Sequence, residues 1–123
     1  MLENVSPLIL VVDDSWVSRQ LIIKMIKESS YTNIIEAENG AVALEKIRNQ
    51  KPSVVFLDLL MPVMSGDEMM KNLKNDSFFP KIIVISADIQ ETTRQRCKEL
   101  GACDFLNKPV HSAAISEVLK KCL

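Results

Sequence analysis

Histidine is nearly absent from this 123-residue chain: His111 is the single copy, and tryptophan and tyrosine also occur once each. Sites built on clustered imidazoles, whether zinc centres or Ser/His nucleophile pairs, are therefore poorly provided for. His111 itself reads as a surface or helix-start residue. Cysteine is also scarce. Cys97, Cys103 and Cys122 are an odd number without Cys-x-x-Cys spacing, so they present no zinc or redox motif and read as reduced residues of the core or its boundary. No apolar run approaches the roughly 20 residues of a membrane helix. The first fifteen residues carry acids instead of the basic stretch and apolar run of a secretory signal. Sixteen acidic against fifteen basic residues leave a net charge of -1, which gives no bulk attraction to nucleic acid or an anionic membrane. These absences lead to an expectation of a cytoplasmic protein with no nucleic-acid or membrane partner. Repeats, low-complexity stretches and Pro/Gly/Ser linkers are missing as well, so a single domain over residues 1–123 is expected, with 1–6 a loose arm.

What is present is hydrophobic residue, 47% of the chain. A chain of this length can bury roughly two-thirds of its unfolded surface, enough for a core without staples. Branched apolar runs at 8–12, 33–36, 53–57, 81–85 and 103–106 predict five strands. Between and after them, apolar residues fall at helical spacing: Val17, Leu21 and Met25; Val42, Ala43 and Ile47; Met69, Met70 and Leu73; Cys97 and Leu100; Ile115, Val118, Leu119 and Cys122. Ser65 with Glu68, and Asp88 with Glu91, have the spacing of capping boxes. Asn39 and Gly40 stand where the second helix should begin, and Gly101 where the fourth should stop. Strand starts lie roughly 20 to 28 residues apart, which suits parallel crossovers and not tight hairpins. Continuous apolar strands such as 54–57 require cover on both faces, so helices are expected on both sides of a parallel α/β sheet.

In such sheets ligands bind beyond the carboxyl ends of the strands. Four of the five predicted strands run into chemistry there: Asp13 and Asp14 after the first, Asp58 after the third, Ser86 after the fourth and Lys108 after the fifth. Taken singly, each has a plain explanation as a cap or a solvated side chain. Three carboxylates and one ammonium at the ends of strands one, three and five are more than capping demands. Carboxylates that converge repel, by about 4 kcal/mol per pair at ~4 Å and an effective dielectric near 20, so the group should attract a divalent cation. Oxygen donors without histidine point to Mg²⁺ or Mn²⁺ rather than zinc. A cation beside a lysine forms a positive clamp for phosphoryl oxygens. With no base or Ser/His pair at hand, the nucleophile is a carboxylate, best placed at Asp58, which stands alone on the central strand.

These residues resemble the receiver domain of bacterial response regulators. The matching pieces are Val11-Val12-Asp13-Asp14-Ser15, Val55-Phe56-Leu57-Asp58 through Met61-Pro62 to Met64-Ser65-Gly66, Val84-Ile85-Ser86-Ala87, and Gly101-Ala102 through Phe105-Leu106-Asn107-Lys108-Pro109. The resemblance spans almost the whole chain. It implies a (βα)5 flavodoxin-like fold, with the sheet order 2-1-3-4-5 that is general for chemotaxis receivers. It implies that Asp58 takes a phosphoryl group from a histidine kinase. Asp14, Asp58 and the backbone carbonyl of Leu60 would then bind Mg²⁺ directly, Asp13 would act through metal-bound water, and Lys108 would pair with the phosphoryl group or with Asp58. The Lys108–Pro109 bond is expected to be cis. Ser86 matches the family's switch hydroxyl and Phe105 its switch aromatic, which together shift a population of two packings. The output face for a target protein would include Gln90, Arg94, Lys98 and Phe105.

The family likeness further implies a stand-alone monomer of the chemotaxis type, open to a phosphatase, that catalyses only its own phosphorylation and dephosphorylation. A phosphorelay intermediate, or a receiver cut from a longer regulator, remains an alternative. A Mg²⁺-dependent aspartyl phosphohydrolase usually has an acid two residues after its nucleophile, where this chain has Leu60. A flavodoxin-like mononucleotide carrier would offer hydroxyls and glycine to phosphate, where this chain offers Asp13-Asp14-Ser15-Trp16. Leu60 and Asp88 depart from many relatives at places that govern how fast the aspartyl phosphate hydrolyses, so an unusual lifetime is expected, with its sign open. Trp16 is read as bordering the metal site or packing under the first helix. Met61, Met64, Met69 and Met70 are read as core filling before adaptable partner surface.

Overall fold

The computed structural model describes residues 6–61, 63–87 and 90–123. Ten elements alternate along the chain: β1 (Ile9–Val12), α1 (Trp16–Glu28), β2 (Ile34–Ala37), α2 (Gly40–Gln50), β3 (Val54–Asp58), α3 (Gly66–Leu73), β4 (Lys81–Ser86), α4 (Glu91–Glu99), β5 (Asp104–Asn107) and α5 (Ser112–Cys122). All the strand pairings are parallel and the order is β2-β1-β3-β4-β5. The expected (βα)5 flavodoxin-like fold is therefore the observed one.

Alternation along the strands divides the core into two halves. Leu10, Val12, Val55, Leu57, Ile82 and Val84 point to one face and are covered by Ala43, Leu44 and Ile47 of α2, Met69, Met70 and Leu73 of α3, and Cys97 of α4. Ile9, Val11, Val54, Phe56, Ile83 and Ile85 point to the other, against Ile22, Ile23 and Ile26 of α1 and Ile115, Val118 and Leu119 of α5. The central strands β1, β3 and, after Lys81, β4 are buried on both sides because each side meets a helix layer, whereas the edge strands β2 and β5 are only partly covered. Met69 and Met70 are fully buried, and Met61 and Met64 pack partly against the same cluster, so this stretch fills the core. Among the described residues, no helix is long and apolar enough to cross a membrane.

Helix ends follow local chemistry. Ser15 caps α1 through Ser18 N–H, Asn39 caps α2 through Val42 N–H, and Ser65 with Glu68 closes the expected capping box on α3. α4 begins at Glu91 with Gln90 as its cap residue; the expected Asp88–Glu91 box rests on Asp88, which lies outside the described residues. Gly101, at φ +104°, ends α4 in a left-handed conformation: its N–H bonds to the Lys98 carbonyl and that of Ala102 to the Cys97 carbonyl. His111 is exposed immediately before α5, a helix-start residue as expected. The expected loose arm falls almost wholly outside the described residues.

Candidate functional site

Register brings the strand ends to one rim. Val12 pairs with Leu57, Asp58 with Ile85, and Ser86 with Asn107, so Asp13, Asp58, Ser86 and Lys108 all emerge at the carboxyl edge. The Lys108 N–H donates to the Ser86 carbonyl at 2.9 Å, tying the loop after β5 to the end of β4. The Lys108–Pro109 peptide is cis, as expected.

The carboxylates converge. One oxygen from each of Asp13, Asp14 and Asp58 lies within 4.8 Å of the other two. Asp13 is 1% exposed and its oxygens are engaged: Oδ1 accepts from Ser15 N–H at 2.9 Å, and Oδ2 accepts from the Ser18 hydroxyl at 2.6 Å and from Lys108 Nζ at 3.2 Å. Asp58 is 7% exposed, accepts weakly from Leu60 N–H at 3.4 Å, and lies 3.5 Å from Lys108 Nζ. Asp14 is exposed. Lys108 thus bridges the two buried carboxylates and is slightly nearer to Asp13 than to Asp58.

Burial pushes the Asp58 carboxyl above its ordinary value, with Asp13 adding to the rise and Lys108 opposing it. Burial alone would lower Lys108, but Asp58 and Asp13 together outweigh it and hold the ammonium above its usual value. The result is a positively clamped, partly desolvated carboxylate at the end of the central strand. The surrounding donor set is entirely oxygen, which fits a hard divalent cation and not a thiolate or imidazole metal.

Ser86 is fully buried at the same rim. Leu60 turns its side chain outward, 71% exposed, leaving its backbone as its contribution to the site. Trp16 is 65% exposed at the start of α1 and does not pack under that helix. Phe105 is half-buried on β5, and the Arg94 guanidinium stacks 4.8 Å from its ring centroid. Arg94, Lys98 and Phe105 line a groove of about 280 Å³ between α4 and β5, separate from the acid cluster. Ser18 and Arg19 were not anticipated from sequence. Ser18 holds the Asp13 carboxylate, while Arg19 Nη1 donates to the Asp13 carbonyl at 2.7 Å and Arg19 Nε pairs with Glu36 at 2.8 Å. Their signal was the helical phase after Ser15, which carries positions 18 and 19 back toward the end of β1.

A match to the response regulator receiver domain family extends over residues 9–120. The chain belongs to that family. Chemotaxis protein CheY of Bacillus subtilis is 34% identical to this receiver over 115 residues, covering 94% of this chain and 96% of its own length. A protein-glutamate methylesterase/protein-glutamine glutaminase of Treponema denticola is 37% identical over 123 residues, covering 94% of the receiver. The receiver spans only 33% of the length of that relative. The structure of Vibrio cholerae chemotaxis protein CheY4 superposes with a TM-score of 0.88 at 28% identity, covering 97% of this receiver and 100% of that chain. The chain is thus a CheY-like receiver domain of two-component signalling.

Proposed function

We propose that Asp58 accepts a phosphoryl group from a histidine kinase and that the modified domain changes its affinity for a target protein. The observation that carries this reading is the convergence of the Asp13, Asp14 and Asp58 oxygens within 4.8 Å beside Lys108. An Asp58 oxygen attacks phosphorus, the bond from phosphorus to the donor imidazole breaks, and its electron pair leaves with the imidazole. Asp13, Asp14, Asp58 and the Leu60 carbonyl would hold Mg²⁺, or Mn²⁺ in its place. When bound, the ion supplies positive charge to the transferring phosphoryl oxygens. Lys108 pairs its ammonium with one phosphoryl oxygen, and Ser18 and Ser15 keep Asp13 in place while Lys108 shifts. No general base is required, because the nucleophile is already ionised.

Ser86, buried at the rim, offers its hydroxyl to a second phosphoryl oxygen. Phe105 then turns inward and leaves Arg94, so the surface of Gln90, Arg94, Lys98 and Phe105 takes a second form that a target distinguishes. On this reading residues 1–123 form one regulatory domain, monomeric and cytoplasmic, open to a phosphatase, that acts on no external substrate. The exposed Leu60 side chain stands where water approaches the phosphoryl group, so Leu60→Asn is expected to change the rate of autodephosphorylation. Equal rates in variant and parent would remove Leu60 from that role. The likeness to the longer methylesterase relatives supports a second setting, with the same domain as the regulatory part of a larger chain.

Mass spectrometry after incubation with acetyl phosphate tests the reading. One phosphate's mass is expected in Mg²⁺, with little gain in a chelator and none in Asp58→Asn. Equal labelling of Asp58→Asn would overturn it.

A further inference from the structure

Cys103 and Cys122 take no part in the chemistry above, yet their sulfurs lie 3.1 Å apart across 19 positions of sequence. Cys103 immediately precedes β5, at the edge of the sheet, and Cys122 is the last residue of α5. Neither is in a disulfide, and both are half-buried. Cys103 is also among the residues that line the groove between α4 and β5. Alongside, Lys121 pairs with Asp104 at 3.0 Å and holds the same two elements together. Among the described residues, no third His, Cys, Asp or Glu joins the two sulfurs in a metal-sized group.

We propose that Cys103 and Cys122 are a redox-modification site, closing into a reversible intramolecular disulfide with a small-molecule disulfide as oxidant. The Cys103 thiolate attacks one sulfur of the oxidant, the oxidant's S–S bond breaks, and one small thiolate leaves and takes up a proton. The Cys122 sulfur then attacks Cys103, loses its proton to solvent, and expels the second small thiol. Two protein thiols are oxidised and one small disulfide is reduced to two thiols. Closure needs the sulfurs to approach by only about 1 Å, to the roughly 2.05 Å of an S–S bond. Burial, followed by the neighbouring Cys103 thiol, pushes Cys122 up to about 11, which disfavours its thiolate and leaves the first attack to Cys103 in this scheme. The bond would enclose β5 and α5 in one covalent loop, fixing the last turn of α5 to the sheet edge beside the Arg94–Phe105 groove. Because thiols in a reducing cytoplasm stay reduced, such a bond is a response to oxidation and not a permanent staple.

The test uses the full chain in graded mixtures of reduced and oxidised glutathione, quenched with acid and read by intact mass and non-reducing peptide mapping. The expected product has lost two hydrogens, retains no glutathione and yields a peptide linking Cys103 to Cys122. Its melting temperature should rise by roughly 5–10 °C and fall back with dithiothreitol. Cys97→Ser should behave like the parent, whereas Cys122→Ser should stop at a glutathione adduct on Cys103. A parent chain that stays fully reduced, keeps a stable glutathione adduct or links through Cys97 overturns the proposal. These parent-chain readouts decide the matter even where a variant fails to fold.

Discussion

Asp58 ends β3 with its carboxylate 7% exposed, and burial outweighs the help it receives from Lys108. A carboxyl whose value is raised in the folded state binds a proton there more readily than in the unfolded chain. Stability from this group is therefore greatest at low pH, falls as pH rises through the folded value, and stays lower at neutrality. Asp58→Asn should accordingly be more stable than the parent at pH 7, by about 1 kcal/mol or roughly 3–6 °C in melting temperature. The gap should narrow as pH falls toward about 4, near the unfolded value of aspartate. Urea unfolding of both proteins across that range checks the sign; a constant gap would remove the titration from the account. Lys108 has the opposite consequence, because its raised value makes the ammonium stabilising at neutral pH and lost only as pH climbs through that value. At this scale the sequence was informative where a polar residue interrupts an apolar run, as at Asp13, Asp58 and Ser86. It was silent on Ser18 and Arg19, whose roles depend on how the first turn of α1 is rotated against the end of β1.

Helix termini show where local chemistry agrees with the fold and where it is strained. α4 ends with Gly101 in the left-handed region, and a Cβ there would meet the Phe79 ring at 3.0 Å. α1 ends in the same hydrogen-bonded geometry, Ser30 N–H to the Lys27 carbonyl and Tyr31 N–H to the Ile26 carbonyl, but with Ser30 at φ 75°. Left-handed backbone costs an ordinary L-residue about 1 kcal/mol, so Ser30→Gly should raise stability by about that amount, or roughly 4 °C. Gly101→Ala should lower it by a larger margin, since strain and the Phe79 contact act together. Thermal unfolding of the two variants separates these effects; a destabilised Ser30→Gly would show that entropy of the unfolded chain outweighs relief of strain. The strands carry a related lesson. Four of the five expected strands begin one residue before the observed ones, and all the observed strands but β1 continue one residue past the expected ends, as at Asp58, Ser86 and Asn107. Hydrophobicity marks the buried stretch, whereas the ladder of backbone bonds continues into the polar rim.

Across the whole molecule, the two half-cores hold five strand ends at one edge, and the acid cluster is the price of that convergence. The five βα units were legible from spacing and period, but the sheet order was not. Crossover handedness is a physical rule, whereas the side on which each new strand joins depends on which helix faces fit, and the order came from family resemblance. Since carboxylate repulsion at the rim opposes folding, a cation that binds only the folded domain should raise its stability by RT ln(1 + [Mg²⁺]/Kd), about 1.4 kcal/mol at ten times Kd. The melting temperature of the parent should therefore climb by roughly 4–7 °C on replacing chelator with saturating Mg²⁺. Asp14 is exposed and outside the core, so Asp14→Asn should keep the chelator-state melting temperature while losing most of the rise. Asp13 is buried and bonded to Ser15, Ser18 and Lys108, so Asp13→Asn should lose the rise and also unfold earlier without Mg²⁺. If Asp14→Asn instead keeps the full rise, the ion is held elsewhere on the chain, and convergence of the three carboxylates is not what binds it.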